Sequence, residues 1–239
     1  MNMGSMDNDD VALKWDHEAS RASAGAALAQ IAAARPQALD ARRTARRSKL
    51  PFKATLYRDS LLWRIEELGR SALDAYDRDD HVAGIVLTRA TIESIAALNS
   101  LHPLVTRYEG GDIETLDATL MSMLMGSRVR DDRPDAINIL NAVDKLTKTL
   151  PAFRALYDQL SEYAHPNDAG TASSFAVLDI VRLGATFTPR GEQYARRAWL
   201  LIECLATSLM LVMPLYAELS TAAPNFARLC DSDVADDEA

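Results

Sequence analysis

A chain of 239 residues, 48% hydrophobic and 25% charged, has ordinary globular composition and enough apolar side chains for a sizeable core. Its net charge of -8 and pI near 5.0 exclude a general electrostatic grip on nucleic acid and a DNA sequence reader, and leave room only for a local basic patch. The two cysteines, Cys204 and Cys230, lie in no CxxC or Cys/His cluster, so the sequence offers no zinc site, no other metal site, no cofactor and no disulfide framework, and it reads as cytoplasmic.

The opening MNMGSMDNDD is polar and acidic with no apolar run, so no signal peptide is expected, and its GSM reads as a cloning scar outside the fold. An Ala-rich amphipathic helix is predicted from about Asp10 to Ala34, stopped by Pro36. The basic stretch ARRTARRSK, Ala41 to Lys49, reads as a loop or a solvated short helix, with a phosphate-contacting patch as its functional alternative. Residues 1-52 are thus an N-terminal helical arm and basic connector, and residues 53-220 the main domain.

From Lys53 to Arg78, Leu62, Ile65, Gly69, Ala72 and Tyr76 recur at helical spacing, and Glu66 falls on a mixed face that reads as solvated. Asp79 and Asp80 are placed as caps of the next helix, which is apolar nearly all round and is predicted to end at His102-Pro103. A weaker helix spans Asp112 to Ser127, with Met121, Met123 and Met125 as gap-filling core. Pro134 suits the first turn of another helix ending near Leu150, and Pro151 opens one that stops at Pro166-Asn167.

Between Ser174 and Pro189 the apolar residues alternate instead, with Leu183-Gly184 as a break, which predicts a short β-hairpin. A last long helix is expected from Pro189 to about Leu219, followed at 221-239 by a disordered acidic tail. Ala198 to Tyr216 is the nearest approach to a membrane span, but Glu203 in its middle favours a buried core helix and no membrane. The short connections predict an all-α antiparallel helical bundle with a small β-hairpin before the last long helix.

Two features could carry chemistry. Arg89 and Glu93 lie four apart on the apolar helix and share a face, either as an ion pair fixing register or as the floor of a pocket with Arg89 binding an anion. His165 ends its helix because Pro166 disfavours helical backbone before it. There it either caps the last carbonyls or, favoured as imidazolium by the helix C-terminus, acts as a general acid or base. Glu203 could face the same interior, and the scattered His17, His81 and His102 show no metal-ligand spacing.

The pair LTRATIES, Leu87 to Ser94, and LSEYAHPN, Leu160 to Asn167, resembles a family of helical proteins similar to the HEPN clan, over roughly Thr55 to Leu219. The resemblance implies a helical bundle, dimerisation, and binding of nucleotide or RNA, with Arg89, Tyr163, Asn167 and Glu203 as binding residues. It also implies a catalytic alternative, a metal-independent ribonuclease in bacterial phage defence with His165, Arg89 and Glu93 in its site. The clan's ribonucleases carry an Arg, then four to six residues, then the His; here the three positions that spacing allows hold Asp158, Gln159 and Leu160, and Arg154 lies further upstream. The reading preferred is therefore a non-catalytic HEPN-like binding or interaction module. A homodimer is also expected from the last helix, whose Trp199, Leu200, Ile202, Leu205, Leu209 and Leu211 are apolar on more than one face; the competing cover is the N-terminal helix.

Overall fold

The computed structural model describes residues 16-44, 46-149 and 151-237. The part of the predicted N-terminal helix before residue 16, with the presumed scar, lies outside these, as do the last two residues of the tail. The described chain is mostly helical with one small antiparallel sheet. Its helices are α1 (His17–Ala34), α2 (Ala41–Thr44), α3 (Leu50–Asp77), α4 (His81–Thr106), α5 (Ile113–Met125), α6 (Ile139–Thr149), α7 (Pro151–Ala164), α8 (Ala172–Phe175), α9 (Tyr194–Leu209) and α10 (Val212–Asp237), with strands β1 (Ala176–Asp179) and β2 (Gly184–Phe187) after α8. By internal packing it falls into two compact units, one of residues Met1–Ala29, Glu67–Ile92 and Ala152–Met210, the other of Gln30–Glu66, Glu93–Pro151 and Leu211–Ala239. Helices α3 and α4 contribute one part to each unit.

In the first unit, Asp16 opens α1 by accepting the Ala19 N–H (3.0 Å). Ala24, Ala27 and Leu28 are buried at helical spacing. Helix α3 closes in a Schellman arrangement: Asp80 N–H reaches Ala75 O (2.9 Å) and Asp79 N–H reaches Tyr76 O (3.0 Å). Asp79 takes the left-handed position usual for Gly, with φ of 63°. Its carboxylate accepts from Tyr194 Oη (2.5 Å) and Arg190 (3.1 Å), which offsets that conformation, and these donors hold its pKa below the usual carboxylate range. Only Asp80 then caps α4, its carbonyl receiving the Gly84 N–H (2.9 Å).

The apolar α9 is covered inside this unit. Ser20 of α1 donates to Glu203 (2.8 Å), and a Cβ on Gly69 would lie 2.9 Å from Leu28 and 3.3 Å from Leu209. The apolarity of α9 therefore does not by itself call for a second copy. Cys204 is fully buried there, and burial pushes its thiol up to about 12.

The hairpin forms where alternation predicts it, pairing Ala176 with Phe187 and Asp179 with Gly184. Asp179 Oδ1 accepts the N–H groups of Val181 (3.1 Å) and Arg182 (2.9 Å) and so shapes the connecting loop. Its alternating apolar residues do not pack inward: Leu178, Ile180, Val181, Leu183 and Phe187 are all exposed.

In the second unit α3 begins with Pro51 in its first turn, where a missing N–H is harmless, and Ser48 Oγ accepts the Leu50 N–H (3.3 Å). Helix α4 does not stop at His102-Pro103 but runs to Thr106. Burial of Val105 rewards the extra turn, and the Thr106 hydroxyl donates to His102 O (2.8 Å). Asp112 caps α5 through the Thr115 N–H (2.9 Å); its buried residues are Leu116 and Leu120, while the methionines stay partly exposed. Pro134 lies outside any helix. Its carbonyl accepts from Ser127 (2.9 Å), and α6 starts five residues later because Asn138 Oδ1 supplies the cap (Leu140 N–H, 3.0 Å).

The last helix is not one run to Leu219. It is interrupted at Met210–Leu211, four residues before Pro214, whose ring would strike the carbonyl of residue 210. Nor is the stretch from 221 disordered as expected. Helix α10 continues to Asp237, because Phe226 and Cys230, four apart, are both buried. The Cys230 thiol, like Cys204, is pushed up to about 12 by burial, aided by Asp233 and Asp231. Two stretches, His81–Thr106 and Tyr194–Val234, are long and apolar enough to cross a membrane, with 61% and 56% of their apolar windows buried inside the protein; buried core helices meet the same test.

Two substitutions probe this packing. A Cβ on Gly84 would lie 2.2 Å from Leu201 Cδ1 and 3.4 Å from Ala72 O. Gly84→Ala is expected to destabilise by about 1–3 kcal/mol in urea melts. Gly25→Ala, whose methyl meets nothing nearer than 4.0 Å, should be neutral or stabilising. Equal urea midpoints for the two variants would show that Leu201 moves aside freely.

The second concerns Glu66, which is buried rather than solvated: it is 6% exposed and bonded to Arg35 Nη1 at 2.6 Å, whereas Glu93 is only half-buried. Glu66→Ala is therefore expected to cost about 3 kcal/mol and more than Glu93→Ala, because it strands a guanidinium whose Nε already lacks a partner. The reverse order in thermal melts would refute this.

Candidate anion-binding cleft

The residues singled out by sequence sit as follows. Arg89, half-buried on α4, donates from Nε to Tyr157 Oη (3.3 Å), and its guanidinium lies 5.4 Å over the Tyr157 ring. So Arg89 does meet the helix of the Ser-x-x-x-His motif. It meets it eight residues, about 12 Å of helix rise, before His165. His165 follows α7 and is exposed; its backbone N–H reaches Ser161 O (3.1 Å), and among the described residues its ring makes no hydrogen bond or ion pair.

Tyr163 is buried and donates to Gln193 Oε1 (3.2 Å); burial raises the pKa of its phenol. Asn167 braces the following loop, donating to Glu162 (2.7 Å) and accepting the Gly170 N–H (3.2 Å). Glu203 accepts from Ser20 (2.8 Å), and Glu93 is half-buried one turn after Arg89. Among the described residues no hydrogen bond or ion pair joins His165, Tyr163, Asn167 and Glu203 to one another. Nor, among those residues, do three His, Cys, Asp or Glu side chains gather as a metal site.

The structure instead builds a cleft in the second unit, of about 860 Å³. One wall is apolar: Leu101 and Val105 from the end of α4, with Leu219, Ala223 and Phe226 from α10. Around it stand Arg43, Arg46 and Arg47 from the basic segment, Arg58 from α3 and Arg228 from α10. The opening turns of α3, at Pro51, Ala54 and Thr55, complete the lining and add the partial positive charge of a helix N-terminus. Five arginines face a single carboxylate, Asp231, in a chain whose net charge is -8.

That carboxylate is already engaged. Asp231 Oδ1 accepts the backbone N–H groups of Arg47 (3.1 Å) and Ser48 (2.9 Å), which ties the basic segment to α10. Arg58 is fixed as well: it donates to Asp59 (2.7 Å) and Ser220 (3.2 Å) and stacks 4.6 Å over Tyr216. Arg43 approaches Asp40 at 3.6 Å, and Arg228 donates to Asn225 (2.9 Å). Arg46 and Arg47 are exposed, and among the described residues their guanidinium groups form no ion pair. The arrangement offers one fixed cation, Arg58, exposed ones at Arg46 and Arg47, and an apolar wall. That suits a ligand carrying phosphate or carboxylate on an apolar or planar body.

The basic segment was legible in the sequence as a charge run. Arg58 and Arg228 were not, since a lone Arg on α3 and an Arg in an expected tail carry no pattern. Asp231→Ala is expected to free residues 46–48: trypsin should cut after Arg46 or Arg47 severalfold faster, with a stability loss of about 1.5–3 kcal/mol. Cutting at the wild-type rate would show that something other than Asp231 holds the segment.

With this geometry in place, comparison with known proteins adds no relative: no family model, no curated protein and no solved structure matches the chain significantly.

Proposed function

We propose that the protein is a non-catalytic binding module, an antiparallel helical bundle of the HEPN-like kind, that holds a phosphate-bearing ligand of nucleotide size in the arginine-lined cleft. The observation that carries this reading is the convergence of Arg43, Arg46, Arg47, Arg58 and Arg228 on one cleft of about 860 Å³ in an acidic protein. That volume falls in the range of small-ligand sites, roughly 300–1,000 Å³. The apolar wall suits a base, and the rim arginines suit phosphates by paired N–H donors. Binding is favoured over cleavage because no His or Cys stands among the described lining residues and Asp231 is taken up by two backbone N–H groups. The exposed His165 ring likewise has no acid or base bonded to it among the described residues.

The test is equilibrium binding of ATP and of a short single-stranded RNA to the full chain and to Arg46→Ala/Arg47→Ala/Arg228→Ala. The triple variant should lose at least tenfold in affinity for ATP, about 1.4 kcal/mol, with a shallower salt dependence. Affinity equal to wild type would sink the reading. An affinity for RNA far above that for ATP, with a steeper salt slope, would reassign the cleft to polynucleotide.

A further inference from the structure

We propose that the first unit holds a second and separate anion site, in which Arg197 and His81 together bind a small free oxyanion of the phosphate or sulfate class. Arg197 lies in the first turn of α9 and is 1% exposed. Its Nη2 donates to Pro189 O (3.0 Å), but Nε and Nη1 are buried with no hydrogen-bond partner. Among the described residues no carboxylate forms an ion pair with it; its guanidinium lies 5.7 Å over the ring of Phe175. Guanidinium donors are seldom left unmet in a folded interior, because burial strips their hydration and an uncompensated charge is the costliest thing to strip.

His81 repeats the pattern. It is the first residue of α4, is 3% exposed, and its Nδ1 is buried without a partner. Its ring stands 4.7 Å from that of Tyr194 and 6.0 Å from that of Tyr76. Nε2 lies 3.7 Å from Asp79 Oδ1, but Asp79 is already bonded to Tyr194 and Arg190. Tyr194 links the two: its ring stands against that of His81, and it lies three residues before Arg197 in the same turn of α9, so the two unmet groups share one neighbourhood, in which the charge of Arg197, after burial, lowers the imidazole pKa. Both belong to the N-terminal ends of helices, of 16 and 26 residues, whose opening amides favour negative charge.

Arg197 leaves two donors and a positive charge unmet, and His81 one ring nitrogen; a water would meet a donor but not the charge. A tetrahedral oxyanion meets both, with oxygens for Nε and Nη1 of Arg197 and for Nδ1 of His81 in the tautomer that carries its proton there. Phe175, which flanks the guanidinium and is itself 40% exposed, is the side chain that has to move for entry. The atoms concerned are shut off from solvent, which selects a free anion over the phosphate of a larger ligand.

The test uses the full chain in chloride buffer. Inorganic phosphate should raise the melting temperature by several degrees as it saturates the site. The rise should persist in Arg46→Ala/Arg47→Ala/Arg228→Ala, which disables the cleft, and vanish in Arg197→Met. Should Arg197→Met fail to fold, the slowly exchanging Arg197 Nε–H resonance of the wild-type protein decides, since it should shift on phosphate addition. The proposal is overturned by a melting temperature indifferent to phosphate, by an Nε–H signal that does not move, or by a rise lost in the cleft variant and kept in Arg197→Met. In the cleft variant, a response to AMP as large as that to phosphate would overturn the assignment to a free anion.

Discussion

Burial of helix α4 around most of its circumference is the constraint on which the rest of the structure depends. Ile85, Thr88, Thr91, Ile92, Ile95, Leu98 and Leu101 are each 1% exposed or less. At 3.6 residues per turn they sweep an arc about twice the ~100° stripe that a surface helix buries. Each half of the helix therefore has to be enclosed by segments distant in sequence. The half ending at Ile92 shares its unit with most of α1, the end of α3, α7 and α9. The half from Glu93 shares the other with the start of α3, α5, α6 and α10. Gly84 is the local price of this enclosure, because Leu201 occupies the space where a side chain would stand.

The helical character was legible from composition and period: Ala and Leu spaced by threes and fours have one reading, and the alternation after Ser174 has another. The element ends were not, since each turns on one residue whose effect depends on its surroundings. Pro103 would break an isolated helix, yet burial of Val105 carries α4 past it. Pro134 suits a first turn, yet Asn138 has a side chain that can cap and so sets the start of α6. Pro214, which attracted no attention in the sequence, interrupts the last helix four residues upstream of itself. The residues after Thr221 read as an acidic tail because in the last nine, DSDVADDEA, charged side chains outnumber apolar ones. Phe226 and Cys230 on one face are enough to hold the chain as helix to Asp237.

The candidate sites were legible to different depths. Arg89 bonds Tyr157, three residues before the second motif begins, so it reaches the helix that carries that motif but not the motif itself. The arginine cleft gathers residues from three separated segments, and a net charge of -8 hides it, because charge summed along a chain says nothing about charge summed over a surface. Arg197 was the least visible. Beside Arg196 it looks like one of two equivalent basic residues at the start of a helix. Only the fold distinguishes them, with Arg196 exposed and donating to Gln159 (3.1 Å) and Arg197 enclosed with two nitrogens unmet.

The two cysteines turn the division into units into something that can be timed. Cys204 belongs to the first unit and Cys230 to the second, and both are fully buried with protonated thiols at neutral pH. Neither can react with a disulfide reagent until the helix around it opens, so each thiol is a clock for its own surroundings. If the units open together, the two sulfurs are labelled at one rate. If either loosens first, its sulfur is labelled ahead of the other, and the difference measures how far the shared helices α3 and α4 make folding a single event.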